Sequence, residues 1–255
     1  MNFRRLFIVI VLAFTVVGCG KRDADGVRGS WTQEVWERGD KIYAGILRQP
    51  FLQEMAAGTL EEERFARYIA QDEVYIGGYG QQMYQLADLM KDAKVKEMLR
   101  AYADSGIESE KYMHQLLIER FGIDTEVEAS VVTAGYRKHT QEALDGGEPL
   151  VALAAMLPCM WIYNRVGLYV LSIAKLDGNP YREWIEEYGN EDVTREVDVM
   201  LQTIDGWMEE VDADTRSAMT RNFLEALLYE YAFWDYGYNS DTKDYSYVYR
   251  LEEWL

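Results

Sequence analysis

The sequence has 255 residues, of which 26 are Lys or Arg and 44 are Asp or Glu, so the formal net charge is -18 at pH 7. Such a chain lacks the basic surface that nucleic-acid binding requires, which excludes that class of partner. Hydrophobic residues make up 49% of the chain, enough to bury a large core and to exclude disorder. Only 4 Pro interrupt it, a composition typical of long helices, and 2 Cys cannot form a disulfide framework.

The first nineteen residues have the pattern of an export signal. Arg4 and Arg5 precede an apolar run over residues 6–17 that is too short to span a membrane as a stable helix. The run ends in V-V-G-C, which resembles a bacterial lipobox, so we expect cleavage before Cys19 and lipidation of its thiol; the alternative is a conventional cleavage site. Residues 20–29 are small or charged and predict a flexible tether. The prediction is an exported lipoprotein, anchored on the periplasmic or cell-surface side of a membrane.

The remaining chain, residues 30–255, predicts a single all-α domain. Ser30 can cap a helix that runs to about Leu47, and Pro50 ends it because the residue before a proline leaves the α region. A short helix over residues 51–57 follows. The chain shows no repeat of 20 to 50 residues and no linker after the tether, so we expect one domain.

Two pairs of residues have the spacing of a capping box, in which Thr and Glu satisfy each other's free backbone N–H groups. Thr59 with Glu62 predicts the start of a long third helix. Thr125 with Glu128 predicts the start of another, which ends at Gly146-Gly147. Between them, residues 93–121 predict one continuous helix.

Pro149 opens the most apolar segment of the mature chain, residues 150–176. Asn164 and Arg165 lie at its centre, where an ionisable group in lipid is costly, so the segment predicts a buried core helix and not a membrane span. Pro158 removes one backbone hydrogen bond inside this helix, and a kink is expected there.

The last part of the chain predicts a turn followed by three helices. The turn is D-G-N-P at residues 177–180, and the helices cover about 181–188, 192–211 and 214–238. In the tail, three tyrosines alternate with other residues over 245–249. This pattern is too short to decide between a strand and irregular structure.

Two carboxyl groups and one thiol lie in segments that otherwise predict apolar core. Asp72 falls on the apolar stripe of the third helix, and Glu230 has apolar neighbours on every helical face. Burial raises the pKa of such acids, which suits a general acid or base near neutral pH; the alternative is a buried ion pair or a Tyr hydrogen bond. Cys159 directly follows Pro158, and a buried Cys taken alone is more often a packing residue than a nucleophile.

Four segments together resemble the motifs of the TenA family, also known as thiaminase II or aminopyrimidine aminohydrolase. They are Y-I-A-Q-D-E-V-Y at 68–75, A-M-L-P-C-M-W-I-Y at 155–163, Y-R-E-W-I-E-E-Y at 181–188 and Y-E-Y-A-F-W at 229–234. The resemblance covers about residues 30–238. It implies a haem-oxygenase-like helical bundle, a homotetramer, and hydrolysis of the C–N bond at the methylene of a 4-amino-2-methylpyrimidine for thiamin salvage.

The resemblance also implies roles for individual residues. By motif position, Cys159 resembles the nucleophile, Glu230 the catalytic acid or base, and Asp72 the carboxylate that holds the aminopyrimidine edge. The aromatic residues that match the lining of the pocket are Tyr75, Tyr136, Tyr163, Tyr188 and Phe233. For any one of these aromatic residues alone, core packing is the commoner role.

The predicted export differs from the TenA family, whose members are usually cytosolic. This difference leaves open whether the substrate is thiamin or its breakdown products. A lipid-anchored binding protein is the competing hypothesis, in which the same pocket captures aminopyrimidines or thiamin without turnover. The presence of both Cys159 and Glu230 favours the enzyme, because binding alone needs neither a thiolate nor a buried acid.

The histidine content argues against a metal or haem centre. The only histidines are His114 and His139, and neither lies in the first helix, where a haem ligand would be expected. Glu110 and His114 are four residues apart, whereas di-iron bundles use Glu-x-x-His. The sequence therefore predicts no metal and no cofactor.

Overall fold

The computed structural model describes residues 30–255, over which the chain forms ten α-helices and no strand. The helices are α1 (Trp31–Leu47), α2 (Pro50–Ala57), α3 (Glu62–Leu89), α4 (Ala93–Ala101), α5 (Ile107–Phe121), α6 (Val131–Asp145), α7 (Pro149–Ile173), α8 (Arg182–Tyr188), α9 (Glu191–Trp207) and α10 (Ala213–Asn239). The all-α prediction is confirmed. The predicted signal peptide, lipobox and tether of residues 1–29 lie outside the described residues.

Several helices begin where the sequence predicts them, because polar side chains accept the free N–H groups of the first turn. The Ser30 side chain accepts a hydrogen bond from the backbone N–H of Gln33 at the start of α1. Asp212 caps α10 in the same way. Pro50 and Pro149 occupy the first turns of α2 and α7, where a missing N–H costs nothing.

Both predicted capping boxes are wrong. Thr59 instead completes the end of α2, since its backbone N–H donates to the Glu54 carbonyl at 2.8 Å, and α3 begins three residues later. The other helix, α6, starts at Val131 with Ser130 as its cap, well after Thr125. Tertiary contacts set that start, because the Gln71 side-chain oxygen accepts from the Ser130 backbone N–H at 2.8 Å.

The segment predicted as one helix over 93–121 is divided by a π-helical turn at Tyr102–Gly106. A π turn contains an extra residue and so changes which side chains face a neighbouring helix. After the turn, α5 packs beside α3 and brings Glu110 and His114 toward it.

The apolar helix α7 forms the centre of the bundle and packs most extensively against α10. Among the described residues it is the one helix long and apolar enough to cross a membrane, but 72% of its most apolar window is buried inside the fold. This burial agrees with the core-helix prediction. Pro158 lies within the helix, directly before Cys159.

The tail after α10 is irregular and folds back on the bundle. It forms short 3-10 turns at Ser246–Tyr249 and Leu251–Glu253. The Tyr247 hydroxyl donates to Asp235 of α10 at 3.2 Å, and the Lys41 ammonium of α1 donates to the Leu255 backbone carbonyl at 2.8 Å. The alternating tyrosines therefore do not form a strand.

Gly167 lets α7 approach the end of α8 closely. A Cβ atom at this position would lie 2.2 Å from the Tyr188 carbonyl oxygen, far inside van der Waals contact. Because the contact is with backbone, a change of side-chain rotamer cannot relieve it. The close approach fixes Tyr188 relative to α7.

We predict that Gly167→Ala lowers the free energy of unfolding by about 3 kcal/mol, since one of the two helices must shift. Gly77→Ala is the matched control: that glycine is also inside a helix, but its Cβ would meet nothing within 4 Å. The control should gain about 0.5–1 kcal/mol from better helix propensity. Urea unfolding of both variants measures the difference, and equal stabilities would contradict the close approach.

Candidate active site

A small cavity lies inside the bundle between α3, α5, α6, α7 and α10. Its lining residues are Asp72, Tyr75, Ile76, Tyr79, Glu110, Tyr136, Cys159, Tyr163, Glu230 and Phe233. The cavity has a volume of about 10 Å³, which is room for about one water molecule. Three carboxyl groups and a thiol thus share one small space, and five of its ten lining residues are aromatic.

Seven of the eight residues predicted for the site line this cavity. The exception is Tyr188, which lies behind the wall: its ring centroid is 5.3 Å from that of Tyr163, and its hydroxyl donates to Glu110. Glu110, Ile76 and Tyr79 also line the cavity but were not predicted as site residues. Ile76 and Tyr79 could have been found because they lie on the same apolar stripe as Asp72. For Glu110 the sequence offered only its position four residues before His114.

Glu230 is fully buried on α10. The Tyr136 hydroxyl donates to its Oε1 at 2.7 Å, while its Oε2 has no hydrogen-bond partner within the described residues. Burial raises the pKa of Glu230 to about 8, against the lowering effect of the Tyr136 hydrogen bond, and the nearby Asp72 and Glu110 raise it further. Glu230 is therefore protonated at neutral pH and can donate a proton.

Cys159 presents its half-buried thiol to the same cavity. Burial raises the pKa of this thiol well above its ordinary value, and the neighbouring acids Glu230, Glu110 and Asp72 add to the effect. The thiol is consequently protonated at rest. It can act as a nucleophile only if its proton leaves as the new bond forms.

Glu110 and Asp72 also line the cavity, and both lie near the buried imidazole of His114. Burial raises the pKa of Glu110 to about 7, with a further rise from Asp72 and a lowering from His114. The His114 Nε2 lies 3.5 Å from Asp72 Oδ2, and its Nδ1 lies 2.5 Å from Glu73 Oε1.

Asp72, Glu110 and His114 each offer one ligand atom, and these atoms lie within 4.8 Å of one another. Geometry alone would admit a cation among these three residues. The imidazole nitrogens of His114 already face the carboxylates of Asp72 and Glu73, so a metal ion would have to displace a proton from this pairing.

A larger depression of about 650 Å³ lies at the surface between α1, α9 and α10. The ion pair between Arg216 and Glu34, at 2.8 Å, forms part of its wall. It contains none of the residues predicted for the site. The acids, the thiol and the tyrosines that were predicted for the site line the smaller, buried cavity instead, with the exception of Tyr188.

The fold and the cavity define an all-α bundle with an internal small-molecule site. The chain belongs to the TENA/THI-4/PQQC family, whose model matches residues 36–240. This match confirms the family indicated by the four sequence motifs.

Individual relatives agree with this assignment. The chain is 28% identical over 216 residues to a protein named aminopyrimidine aminohydrolase from Bacillus subtilis (strain 168), an alignment that covers 83% of this chain and 91% of the relative. It superimposes on a TenA homologue from Pyrococcus furiosus with a TM-score of 0.77 and 19% identity, over 82% and 100% of the two chains. A domain from Shewanella denitrificans OS217 with a haem-oxygenase-like fold gives a TM-score of 0.59 at 12% identity, over 89% and 96%. The haem-oxygenase-like fold is confirmed.

We predict that Glu230→Gln stabilises the protein at alkaline pH. A raised pKa means that the folded state binds the proton more tightly than the unfolded state, so this contribution to stability is complete below about pH 4.5 and is lost as pH rises through about 8. Gln keeps the shape without ionising. The variant should match the wild type near pH 5 and exceed it by roughly 1–3 kcal/mol near pH 9.

Urea unfolding across this pH range measures the difference, with Glu252→Gln as the control at an exposed carboxyl. The difference in free energy of unfolding between Glu252→Gln and the wild type should not change with pH. A stability difference for Glu230→Gln that is equally independent of pH would contradict a protonated, buried acid.

Proposed function

We propose that the protein hydrolyses the C–N bond at the pyrimidine methylene of thiamin or of aminomethylpyrimidines derived from it, and that it serves thiamin salvage. The observation that carries this proposal is the presence of the Cys159 thiol and the buried Glu230 carboxyl on one cavity. Membership of the family and the name of the Bacillus subtilis relative support it.

The composition of the cavity suits a flat heteroaromatic substrate. Aromatic side chains such as Tyr75, Tyr163 and Phe233 offer walls against which a ring can pack. Asp72 offers a carboxylate for the amidine-like edge of an aminopyrimidine. The cavity is much smaller than such a ring, so the lining side chains must move apart when the substrate enters.

In the first half of the reaction, the Cys159 sulfur forms a bond to an electron-poor ring carbon and the ring loses its aromaticity. The thiol gives up a proton, which the departing amine takes up in the next step, and Glu230 supplies its own proton to the ring nitrogen. Ring electrons then expel the amine, which takes up one proton as the C–N bond breaks. Covalent catalysis of this kind replaces one difficult displacement with two easier steps.

In the second half, water adds its oxygen to the exocyclic carbon and the C–S bond breaks, which restores the ring. One proton of the water stays in the hydroxymethyl product and the other goes to the Cys159 sulfur, while the proton on the ring nitrogen returns to Glu230, so that both groups regain their starting states. The sum is aminomethylpyrimidine plus water giving hydroxymethylpyrimidine plus ammonia. Tyr136, hydrogen-bonded to Glu230, holds that carboxyl in place for both proton transfers.

The deciding experiment incubates the protein with thiamin and with 4-amino-5-aminomethyl-2-methylpyrimidine and detects the hydroxymethyl product. We predict that Cys159→Ser folds and still binds the pyrimidine but loses turnover by at least roughly 1,000-fold, because a serine without an adjacent base is a poor nucleophile. Met160→Leu, at the next position of α7, is the matched control and should retain turnover.

Near-normal turnover by Cys159→Ser would overturn the covalent mechanism. Binding of the pyrimidine by the wild type with no product from either substrate would overturn the hydrolase and favour the capture protein.

We also propose that the enzyme is exported and anchored by a lipid on Cys19, which the V-V-G-C sequence at 16–19 supports. We predict that Cys19→Ser abolishes incorporation of a labelled fatty acid and releases the protein into the soluble extract. Cys159→Ser serves as the control for labelling of the other cysteine. Unchanged membrane association of Cys19→Ser would contradict the anchor.

A further inference from the structure

His114 is fully buried on α5, yet it has a carboxylate beside each ring nitrogen. The Glu73 carboxylate is 2.5 Å from Nδ1, and the Asp72 carboxylate is 3.5 Å from Nε2. Asp72 Oδ2 and His114 Nε2 both lack a hydrogen-bond partner within the described residues, so their 3.5 Å approach is a charge contact between two otherwise unpaired polar atoms. A neutral imidazole can donate from only one of its nitrogens, whereas an imidazolium can satisfy both carboxylates.

Three acidic side chains face His114, and they come from two helices. Asp72 and Glu73 come from α3, and Glu110 comes from α5 itself, with the Tyr188 hydroxyl of α8 donating to Glu110. No Lys or Arg is among the residues that line the cavity. A cationic His114 therefore compensates the buried Asp72 carboxyl, whose neighbours Glu73 and Glu110 are themselves acids.

We propose that His114 is a positioning residue of this site: as an imidazolium clamped by Glu73, it holds the Asp72 carboxylate aimed into the cavity. The inference rests on the proposed function for its kinetic consequence, because a carboxylate fixed at Asp72 can accept hydrogen bonds from an aminopyrimidine edge. His114 itself does not line the cavity, so it acts through Asp72.

The balance of effects on the imidazole is consistent with this role. Burial lowers the pKa of His114, but the pairing with Asp72 and Glu73 outweighs burial and raises the pKa to about 10. The Glu73 side chain is partly exposed, at 26%, so its own charge remains hydrated while it fixes the ring. One solvated and one buried carboxylate thus share a single buried cation.

The kinetic test compares His114→Gln, Asp72→Asn and the double variant. We expect His114→Gln to raise KM roughly 10- to 100-fold with little change in kcat, because the lost interaction holds the ring in both ground and transition states. The double variant should have the KM of Asp72→Asn, because both changes act through one carboxylate.

His139→Gln is the matched control, since that histidine lies outside the cavity with its Nε2 at 3.1 Å from the Asn222 carbonyl. It should leave KM and kcat unchanged. Effects of His114→Gln and Asp72→Asn that multiply in the double variant would overturn the proposal, as would an unchanged KM in His114→Gln. Absence of turnover in the wild type would instead overturn the proposed function.

A second measurement needs no substrate and no change to His114. The chain has 2 His, so the His139→Gln variant leaves one imidazole to observe by nitrogen-15 NMR. We expect both ring nitrogens of His114 to be protonated throughout pH 6–9. A neutral tautomer at pH 7, or one equivalent of a divalent metal bound by the purified protein and lost in His114→Gln, would overturn the proposal.

Discussion

The burial of ionisable groups is the constraint on which the rest of this structure depends. A carboxylate moved from water into a helical bundle loses hydration worth several kcal/mol, and each acid here is compensated differently. Glu230 keeps its proton and accepts one hydrogen bond from Tyr136. Asp72 faces the imidazole of His114 instead. One cavity therefore holds one acid beside a tyrosine hydroxyl and another beside an imidazole, and in the function that we propose this difference separates proton donation from ligand holding.

The helices supply these environments from distant parts of the chain. Asp72 and Tyr136 keep their relative positions because Gln71, next to Asp72, binds the start of α6 through Ser130 and Thr133. Glu230 lies on α10, which packs along the apolar helix that carries Cys159. Small side chains allow the same helix to approach its neighbours closely, as at Gly167. The polar groups are thus fixed by rigid elements rather than by loops.

Much of this arrangement is visible in the sequence, for reasons that differ between residues. Apolar periodicity and prolines predict most helices, and Asp72 and Glu230 stand out because they interrupt apolar faces. Local patterns failed at Thr59, whose backbone N–H completes the end of α2, and at Thr125, because the Gln71 side chain binds Ser130 and sets the start of α6. Glu110 and His114 were missed as site residues because their helix is polar overall. The two carboxylates of α3 that face His114 are more than forty residues away in the sequence. A local sequence pattern therefore cannot indicate that they are close to it in the fold.

The small volume of the cavity has a consequence for affinity. A site with room for about one water cannot hold a pyrimidine in this conformation, so the ligand binds a rearranged form of the protein. The free energy of separating the packed rings of Tyr75, Tyr136 and Phe233 is then subtracted from every binding event. If the rearranged form is populated about once in a hundred molecules, the measured affinity is weaker than the intrinsic affinity by about a hundredfold. Loosening that aromatic packing would tighten binding without adding a single contact to the ligand.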